Sequence, residues 1–522
     1  MKVTLLNDSF PPVIDGVANA VTNYASILTR TGRAEVMVGT PAYPGTDYSV
    51  YPYPVIAYQS FNTPDITAGY RAGNPFQIRS VSKLSKFEPD IIHVHCPAAS
   101  AILGRLLRKE TNAPIVFTYH TKYDLDIARA VKSKHIRKEA VKAMIDNISA
   151  CDEVWTVSRG AGESLKALGY EGDIRVVSNG VDFEKGRADA ALVAEVVKDY
   201  DLPEKIPMFL FVGRIINYKG LPLILDAMRM LSEKGIDYRM VFVGSGADKE
   251  SLQQTVREYG ISLSVLQEDG SISDEPGSQK AGRVIFTGPI YDRNVLRAWN
   301  TRADLFLFPS TYDTNGIVVR EAAACGLASV LIEGSCAAEG ITHGRNGFIV
   351  QENAESIAAL LEELAPAFDT MHEVGQHAMD EIYISWEESV LAAADRYQVI
   401  LENRHAGKLA ARPEQGSDWF LHTTVDVMDA LYDAFHLPAA LHTGLQDNVT
   451  GTMLYMRDNL SGMQENIADA SEYFHEKHQV IQARVRNFGE GLREIGEGFH
   501  SAGHEVKEGF KEGWKKIKGS KD

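Results

Sequence analysis

The chain has 522 residues, of which 44% are hydrophobic, enough for two or three globular domains with ordinary cores. Its formal net charge of −17 argues against general nucleic-acid binding, which needs a positive field. The four cysteines form no Cys-x-x-Cys pair and are expected to be buried, reduced side chains rather than zinc ligands or disulfides: Cys96, Cys151, Cys325 and Cys336.

Short apolar runs alternate with helical stretches, a pattern typical of parallel sheets covered by helices. The first series is KVTLLND, EVMVGT, IIHVH, PIVFTYH, EVWTVS and IRVVSNG. After an irregular stretch at 183–207 comes the second: MFLFVGR, RMVFVGSG, RVIFTGP, DLFLFPS, ASVLI and NGFIV. The polar stretch 261–282 is expected to be a surface insertion. We predict an α/β chain of two tandem doubly wound, Rossmann-like domains facing a cleft: residues 1–190, and residues 191–404 with a closing helix.

The ends of the chain carry two further expectations. The apolar run before Asn7 is too short for a secretory signal, and no run reaches the roughly 18 apolar residues of a spanning helix. We therefore expect a cytoplasmic protein. Residues 405–522 show no alternation of strands and helices and are predicted to form a helical, amphipathic extension.

Two motifs of the first series lie directly after predicted strands, where open α/β sheets bind ligands. In PPVIDGVANAV, Gly16 leads into a helix and would let backbone N–H groups approach a phosphate, although glycine at a helix start is also ordinary turn chemistry. In TYHT, His120 ends a strand. A lone histidine is more often structural, but its position at a strand end favours a place in a site.

The second series carries a cationic loop and two carboxylates. In FVGRIINYKG, Arg214 and Lys219 bracket a short loop, and two such cations can neutralise a diphosphate. In FPSTYDTNGIVVREAAACG, Asp313 precedes a helix start and Glu321 lies eight residues further on. A helix start attracts anions, so this turn would suit a ligand with both hydroxyls and phosphates. The alternative is that Asp313 and Thr314 cap the helix.

In this order, the motifs resemble those of the retaining glycosyltransferases of family 4, which have the two-domain GT-B fold. The likeness runs from Met1 to about Arg404. It rests on the Gly16 loop, TYHT, NGVD at 179–182, GRIINYKG, FTGPI, LFLFPS and the carboxylate pair, spaced as the family's E-x7-E. Each motif is common alone, whereas the ordered set is specific.

The resemblance implies transfer of a hexose from a UDP- or GDP-linked donor with retention of configuration, without cofactor or metal, because cationic groups and helix termini stabilise the leaving group. It makes His120 and Asp313 the catalytic residues, since both would meet the donor sugar. It assigns donor binding to eight further residues: Gly16, Arg214, Lys219, Ile290, Asn315, Gly316, Ile317 and Glu321. Of these, the two cations would hold the diphosphate, Glu321 the ribose, and the segment around Ile290 the base.

Two departures from the family pattern leave the donor sugar open. Asp313 stands where the family usually has Glu and is one methylene shorter. Asn315 stands where the family usually has Phe. Both changes fall where the resemblance places the sugar, so we expect sugar preference to depend on them.

The acceptor is indicated by a basic stretch. TYHTKYD followed by a Lys/Arg-rich helix at 129–142 resembles bacterial enzymes that glycosylate diacylglycerol or related lipids. A basic helix on an acidic protein could dock on anionic headgroups at the inner face of the cell membrane, although a solvated helix face is as good an interpretation. The basic residues are Arg129, Lys132, Lys134, Arg137, Lys138 and Lys142, with Glu139 opposing.

The segment 488–522 gives a second indication. Its apolar residues recur every three or four positions, while its many glycines would weaken an isolated helix. Its basic end contains Trp514, which suits a headgroup interface. Membrane contact, packing on the catalytic domains and binding of a partner remain alternatives for this segment.

Two other functions remain open beside a glycolipid-forming enzyme. One is a soluble transferase whose acceptor is a sugar, sugar phosphate or small metabolite. The other is a binding protein on an inactive transferase fold, which the presence of Arg214, Lys219, Asp313 and Glu321 disfavours.

Overall fold

The computed structural model describes residues 1–13, 15–62, 70–123, 127 and 134–409. They form two α/β units, each built on a twisted, mostly parallel sheet, which confirms the predicted fold class and the GT-B arrangement. The predicted extension, apart from its first residues, lies outside the described residues, as do Arg129 and Lys132. No helix among the described residues combines the length and apolar character that crossing a bilayer requires.

The first sheet has seven parallel strands in the order β3-β2-β1-β6-β7-β8-β9, so the chain starts near its centre and winds outwards in both directions. A separate hairpin, β4–β5, flanks it. The strands are β1 Lys2–Leu6, β2 Glu35–Pro41, β3 Val55–Tyr58, β4 Ser60–Asn62, β5 Arg71–Gly73, β6 Ile91–Val94, β7 Ile115–Tyr119, β8 Glu153–Thr156 and β9 Arg175–Val176. The helices are α1 Gly16–Arg30, α2 Ile78–Lys86, α3 Ala99–Thr111, α4 Lys134–Ser149 and α5 Arg159–Ala167.

The second sheet has eight strands in the order β13-β12-β14-β11-β10-β15-β16-β17, of which only the edge strand β13 is antiparallel. Its strands are β10 Met208–Val212, β11 Arg239–Val243, β12 Ser262–Leu266, β13 Ile272–Glu275, β14 Arg283–Gly288, β15 Leu305–Phe308, β16 Ser329–Ile332 and β17 Phe348–Val350. Its helices, with α6 leading into the unit, are α6 Ala190–Val197, α7 Leu221–Glu233, α8 Lys249–Glu258, α9 Arg293–Arg302, α10 Ile317–Ala324, α11 Ala354–Leu364 and α12 Phe368–Glu381. Apart from the exposed edge strand β13, the strands are largely buried on both faces, as expected for a parallel sheet covered by helices.

The stretch 261–282 is only in part the surface segment that its polar composition predicts, since residues 267–280 are exposed or half-buried whereas its beginning lies inside the sheet. Residues Ser262–Leu266 form β12, which lies inside the sheet between β13 and β14. Leu263 and Val265 are buried, and so is the intervening Ser264, whose hydroxyl bonds to Asp274. Burying a serine that has a hydrogen-bond partner costs little free energy. The polar residues of β12 therefore do not indicate an exposed segment, as the prediction assumed.

The closing helix α13, Trp386–His405, belongs by packing to the first domain rather than to the second. Its Trp386, Val390 and Tyr397 lie in the same core as Val3 and Trp155. Periodic apolar positions indicate that a helix has a buried face, but they do not indicate which sheet covers that face. The predicted boundary at 190/191 therefore separates the two sheets correctly but assigns the closing helix to the wrong domain. The chain therefore crosses between the two units twice.

An ion pair fixes this return of the chain. Arg396 in α13 pairs with Glu153 of β8 through Nε and Nη2, at 2.8 and 2.6 Å. The same carboxylate accepts a bond from the indole of Trp155 at 2.6 Å. These bonds hold the closing helix against the first sheet.

Candidate active site

The loop that follows β15 joins the two domains at the carboxyl ends of their strands. Thr314 donates from Oγ1 to the main-chain oxygen of His120 at 2.5 Å, and Ser158 donates from Oγ to the main-chain oxygen of Thr314. Lys122 donates from Nζ to the main-chain oxygen of Thr311 at 3.0 Å. The structure thus brings the segment that contains Asp313 against the end of β7, where His120 lies.

Lys219 and Asp313 form a largely buried ion pair at the centre of this region. Lys219 Nζ lies 2.9 Å from Asp313 Oδ1 and 3.2 Å from Oδ2, and 5.2 Å from the centre of the Phe308 ring. The side chains are 10% and 27% exposed, and Ser310 donates a further bond to Asp313. Because an ammonium has three donors, Lys219 can hold Asp313 and still reach an anion.

The alternative role of Asp313 as a helix cap is not what the structure shows. Helix α10 begins after Gly316, which is the cap residue at φ +57° and supplies no side-chain oxygen. Asp313 bonds to Lys219 and Ser310, while the Thr314 hydroxyl bonds to the first domain. A side chain at Gly316 would also lie 3.0 Å from Ala337. The helix start is thus built from glycine and backbone, and no side chain caps its N–H groups.

Arg214 lies apart from this buried pair, on the exposed side of the same loop. It donates from Nη2 to Tyr218 Oη at 2.9 Å, and the Tyr218 ring lies edge-on to Tyr312 with centres 5.4 Å apart. It also faces the first domain: burial raises the pKa of Tyr70, and the charge of Arg214 partly opposes that shift. Arg214 therefore lines the opening between the domains rather than its floor.

Glu321 is buried within α10 and paired with a cation that sequence reasoning missed. Arg293, the first residue of α9, donates from Nη2 to Glu321 Oε1 at 2.5 Å, and its guanidinium lies 4.4 Å from the centre of the Phe183 ring. Burial raises the pKa of Glu321, whereas the charge of Arg293 lowers it. Arg293 directly follows GPIYD, the segment predicted to receive the base. That position is the feature of the sequence from which a role in the site could have been predicted.

Three further predicted donor-site residues belong to the second domain: Ile290, Asn315 and Ile317. Asn315 is buried, and its Nδ2 has no hydrogen-bond partner within the described ranges of the chain. Ile290 packs on the core of the second domain, next to Tyr291, which is 78% exposed. Ile317 opens α10 and also packs on that core. An aromatic side chain left this exposed beside the site suits stacking against a base.

Gly16 is the first residue of α1, but the side chain of Asp15 already caps the N-terminal end of that helix. Asp15 Oδ1 accepts bonds from the N–H groups of Val17 and Ala18 at 2.8 and 2.7 Å. Asp15 Oδ2 accepts a bond from Tyr70 Oη at 2.9 Å. A side chain at Gly16 would meet nothing within 4 Å. A phosphate at this helix start would compete with a carboxylate for these two donors, so the predicted role of Gly16 needs Asp15 to move.

His120 is buried at the end of β7 and bonded to a second histidine. Its Nε2 lies 2.9 Å from Nδ1 of His95, which follows β6, the neighbouring strand. Burial lowers the pKa of His120 to about 3, so the ring is neutral at physiological pH. His95 was not singled out from the sequence, although it ends a strand just as His120 does.

A basic helix face bears on the predicted acceptor. Lys134, Lys138 and Lys142, at intervals of four in α4, are all exposed and share one helix face. Glu139 is exposed beside them. The apolar residues of 488–522 lie outside the described residues.

Among the described residues, no three His, Cys, Asp or Glu side chains are grouped so as to hold a metal ion.

Comparisons with known proteins agree with the two-domain fold. Two family profiles match the chain, Glycosyltransferase Family 4 over residues 14–185 and Glycosyl transferases group 1 over residues 206–366. The chain is 26% identical over 383 residues to sulfoquinovosyl transferase SQD2 of Arabidopsis thaliana, covering 70% of this chain and 67% of that protein. It is 23% identical over 372 residues to alpha-monoglucosyldiacylglycerol synthase of Acholeplasma laidlawii, covering 69% and 87%.

A solved structure shows the same fold. The structure of Alr3699/HepE of Anabaena in complex with UDP-glucose superposes with a TM-score of 0.55 at 16% identity. The match covers 77% of this chain and 100% of that one.

Proposed function

The chain belongs to family 4 of the glycosyltransferases, and on that premise we propose that it is a retaining hexosyltransferase that moves a sugar from a UDP- or GDP-linked donor to a lipid such as diacylglycerol. The observation that carries the proposal is the meeting of His120, Asp313 and Lys219 where the two domains touch. Cations, a helix start and a buried carboxylate surround that place, as a nucleotide diphosphate sugar requires.

Each group has a role in the proposed reaction. Lys219 and Arg214 neutralise the diphosphate as the sugar–phosphate bond breaks, which is electrostatic stabilisation of the leaving group. Glu321 accepts hydrogen bonds from the ribose hydroxyls. Asp313 and His120 contact the donor sugar from opposite domains, which the hydrogen bonds of the Asp313 loop hold together.

Three features support a lipid acceptor. One of the two named relatives is, by name, an alpha-monoglucosyldiacylglycerol synthase. The exposed lysines of α4 form a basic face on a chain of net charge −17, and such a face attracts anionic headgroups. The amphipathic sequence of 488–522 adds an apolar stripe that ends in lysines. We propose that the enzyme works as a peripheral protein on the cytoplasmic face of the cell membrane.

A donor and acceptor screen tests the function directly. UDP- and GDP-linked hexoses are offered one at a time with a bacterial lipid extract, and the products are analysed by mass spectrometry and by the configuration of the new bond. A hexosyl diacylglycerol with the donor's configuration is the expected product. A product formed only with water-soluble sugars or metabolites would replace the lipid proposal by the soluble-acceptor alternative, and inverted configuration would overturn the mechanism.

We expect transfer to continue in EDTA. Lys219 and Arg214 supply the positive charge that a divalent ion provides in other transferases. Initial rates are measured after dialysis against EDTA, then after adding back Mg²⁺ or Mn²⁺. Loss of activity on chelation with recovery on metal addition would contradict the proposed mechanism.

Removal of residues 488–522 is expected to lower transfer to acceptor lipid in anionic vesicles and to leave donor hydrolysis unchanged. Apolar burial contributes about 25 cal/mol per Å², and each lysine near an anionic surface adds about 1 kcal/mol, so binding should weaken as salt rises. Flotation with anionic and neutral vesicles measures binding of the full chain and the truncated chain. Equal flotation and equal rates for the two would argue against a membrane role for this segment.

A further inference from the structure

Three buried histidines connect the closing helix to the candidate active site. His93 lies 2.5 Å from Tyr397 Oη through Nδ1 and 2.7 Å from Thr118 Oγ1 through Nε2, so both its nitrogens are bonded. Its ring centre is 4.0 Å from that of His95. His95 in turn bonds through Nδ1 to Nε2 of His120 at 2.9 Å. Only this last bond reaches a residue of the proposed reaction.

The rings of this pair are neutral. Burial lowers the pKa of His95 well below its usual value and that of His120 to about 3. No carboxylate bonds to either ring among the described residues, and two neutral rings share a single proton in their bond. Therefore one ring donates and the other accepts, and the choice fixes both tautomers.

The two outer nitrogens decide between the two arrangements. Neither His95 Nε2 nor His120 Nδ1 has a partner within the described part of the chain. If His95 donates, the unpartnered N–H is His120 Nδ1. If His120 donates, the unpartnered N–H is His95 Nε2, on a fully buried ring beside Tyr24 and His93. Both outer nitrogens are buried, but His120 retains 7% exposure and lies at the contact between the domains, whereas His95 is 0% exposed. An N–H without a partner is the costlier group to bury deeply, so the bare nitrogen belongs to His95.

We propose that His95 is a positioning residue which donates to His120 Nε2 and thereby keeps the proton of His120 on Nδ1, as a hydrogen-bond donor for the sugar or the leaving phosphate. This rests on the proposed glycosyl transfer for its catalytic consequence but not for the tautomer itself. The main-chain oxygen of His120 bonds to Thr314, so the residue lies at the contact between the domains, and its Nδ1–H finds no partner within the described residues until a ligand enters. The substrate then gains a bond that the empty site lacks.

The tautomer is measurable without substrate. In protein labelled with ¹⁵N-histidine, long-range proton–nitrogen spectra separate Nδ1–H from Nε2–H rings, and a His120→Asn variant assigns the signal. The expected result is a neutral Nδ1–H tautomer for His120 in the parent protein. An Nε2–H tautomer would overturn the proposal, whatever the donor proves to be.

Variants at His95 link the tautomer to turnover. His95→Leu removes the bond, so the His120 signal should move toward the Nε2–H form, and kcat should fall roughly 10- to 100-fold with little change in donor KM. His95→Asn retains an N–H near the Nδ1 position and should recover much of kcat. An unchanged His120 signal in His95→Leu, or a shifted signal with an unchanged kcat, would overturn the proposal.

His93→Leu is the matched control. It removes a buried histidine ring from the same core without touching His120, so it should lower thermal stability and leave the His120 tautomer as in the parent. A His120 signal that shifts equally in both leucine variants would assign the effect to core packing and refute a specific role for His95. If no nucleotide sugar supports transfer, the proposed function fails while the tautomer result still stands.

Discussion

Replacing Lys219 by methionine is expected to slow sugar transfer about 30- to 1,000-fold, because a charge-assisted contact to the developing diphosphate contributes about 2–4 kcal/mol. The structure adds a second reason. The Lys219 ammonium is the charged partner of Asp313, and loss of one member of a buried pair leaves an uncompensated charge. Initial rates and thermal unfolding of the same preparations separate lost chemistry from lost folding.

A double variant distinguishes the two reasons. In Lys219→Met with Asp313→Ser the buried charge is gone, so stability should recover toward that of the parent protein. Because Asp313 is itself placed at the donor sugar, this double variant reports only on stability, and the transfer rate is taken from the folded Lys219→Met protein. Lys234→Met serves as the control. This exposed lysine lies just after the C-terminal end of α7, away from Lys219, and pairs with Glu362. Near-normal turnover in a folded Lys219→Met variant, or in a Lys219→Met, Arg214→Ala pair, would refute the donor-site assignment.

The sheets could be predicted because their strands are apolar and buried on both faces. Runs such as MFLFV at 208–212 admit few other interpretations, and their order along the chain fixed the two-domain fold. The same reasoning failed at β12, because the buried Ser264 lies between Leu263 and Val265 and interrupts the apolar run. Composition reports average polarity, whereas burial depends on whether each polar group finds a partner, which only the folded chain reveals.

The candidate site was predictable where position along a strand gives the chemistry. Asp313, Lys219 and His120 all follow strands, and parallel strands bring their carboxyl ends to one edge. Pairings were not predictable. That Lys219 would bond to Asp313 and Glu321 to Arg293 depends on loop geometry across separate strands and helices. Sequence spacing carries no such information beyond one helix turn.

The fate of α13 illustrates the same limit at the scale of domains. Its apolar face is evident in the sequence, but its partners lie far away in the chain: Arg33 is 362 residues from Asp395, and Glu153 is 243 residues from Arg396. Arg30 pairs with Glu387, and Arg33 with Asp395, so two contacts hold it beside α1. Contacts of this range are chosen by complementary surfaces, which no local pattern encodes.

Glu321→Gln is expected to weaken nucleotide binding by roughly 10- to 100-fold while kcat falls much less, because a hydrogen bond to a charged group contributes about 1.5–3 kcal/mol. The carboxylate is buried and one of its oxygens is held by Arg293, so it is oriented before the nucleotide arrives. Titration calorimetry with UDP and with GDP measures the affinity of the parent and the variant.

The same titration with a 2′-deoxy nucleotide tests whether the ribose is the group that Glu321 binds. The deoxy compound should bind the parent weakly, and Glu321→Gln should weaken it little further, since the bond is already absent. Arg293→Gln is the matched control: removing the cation takes away the charge that lowers the pKa of Glu321, so burial raises that pKa further. Nucleotide affinity of this variant should therefore fall as pH decreases, because the protonated carboxyl is a poorer acceptor, whereas Glu321→Gln should show no such dependence. Equal losses for ribose and deoxyribose nucleotides would mean that Glu321 only anchors Arg293, and the ribose assignment would then be wrong.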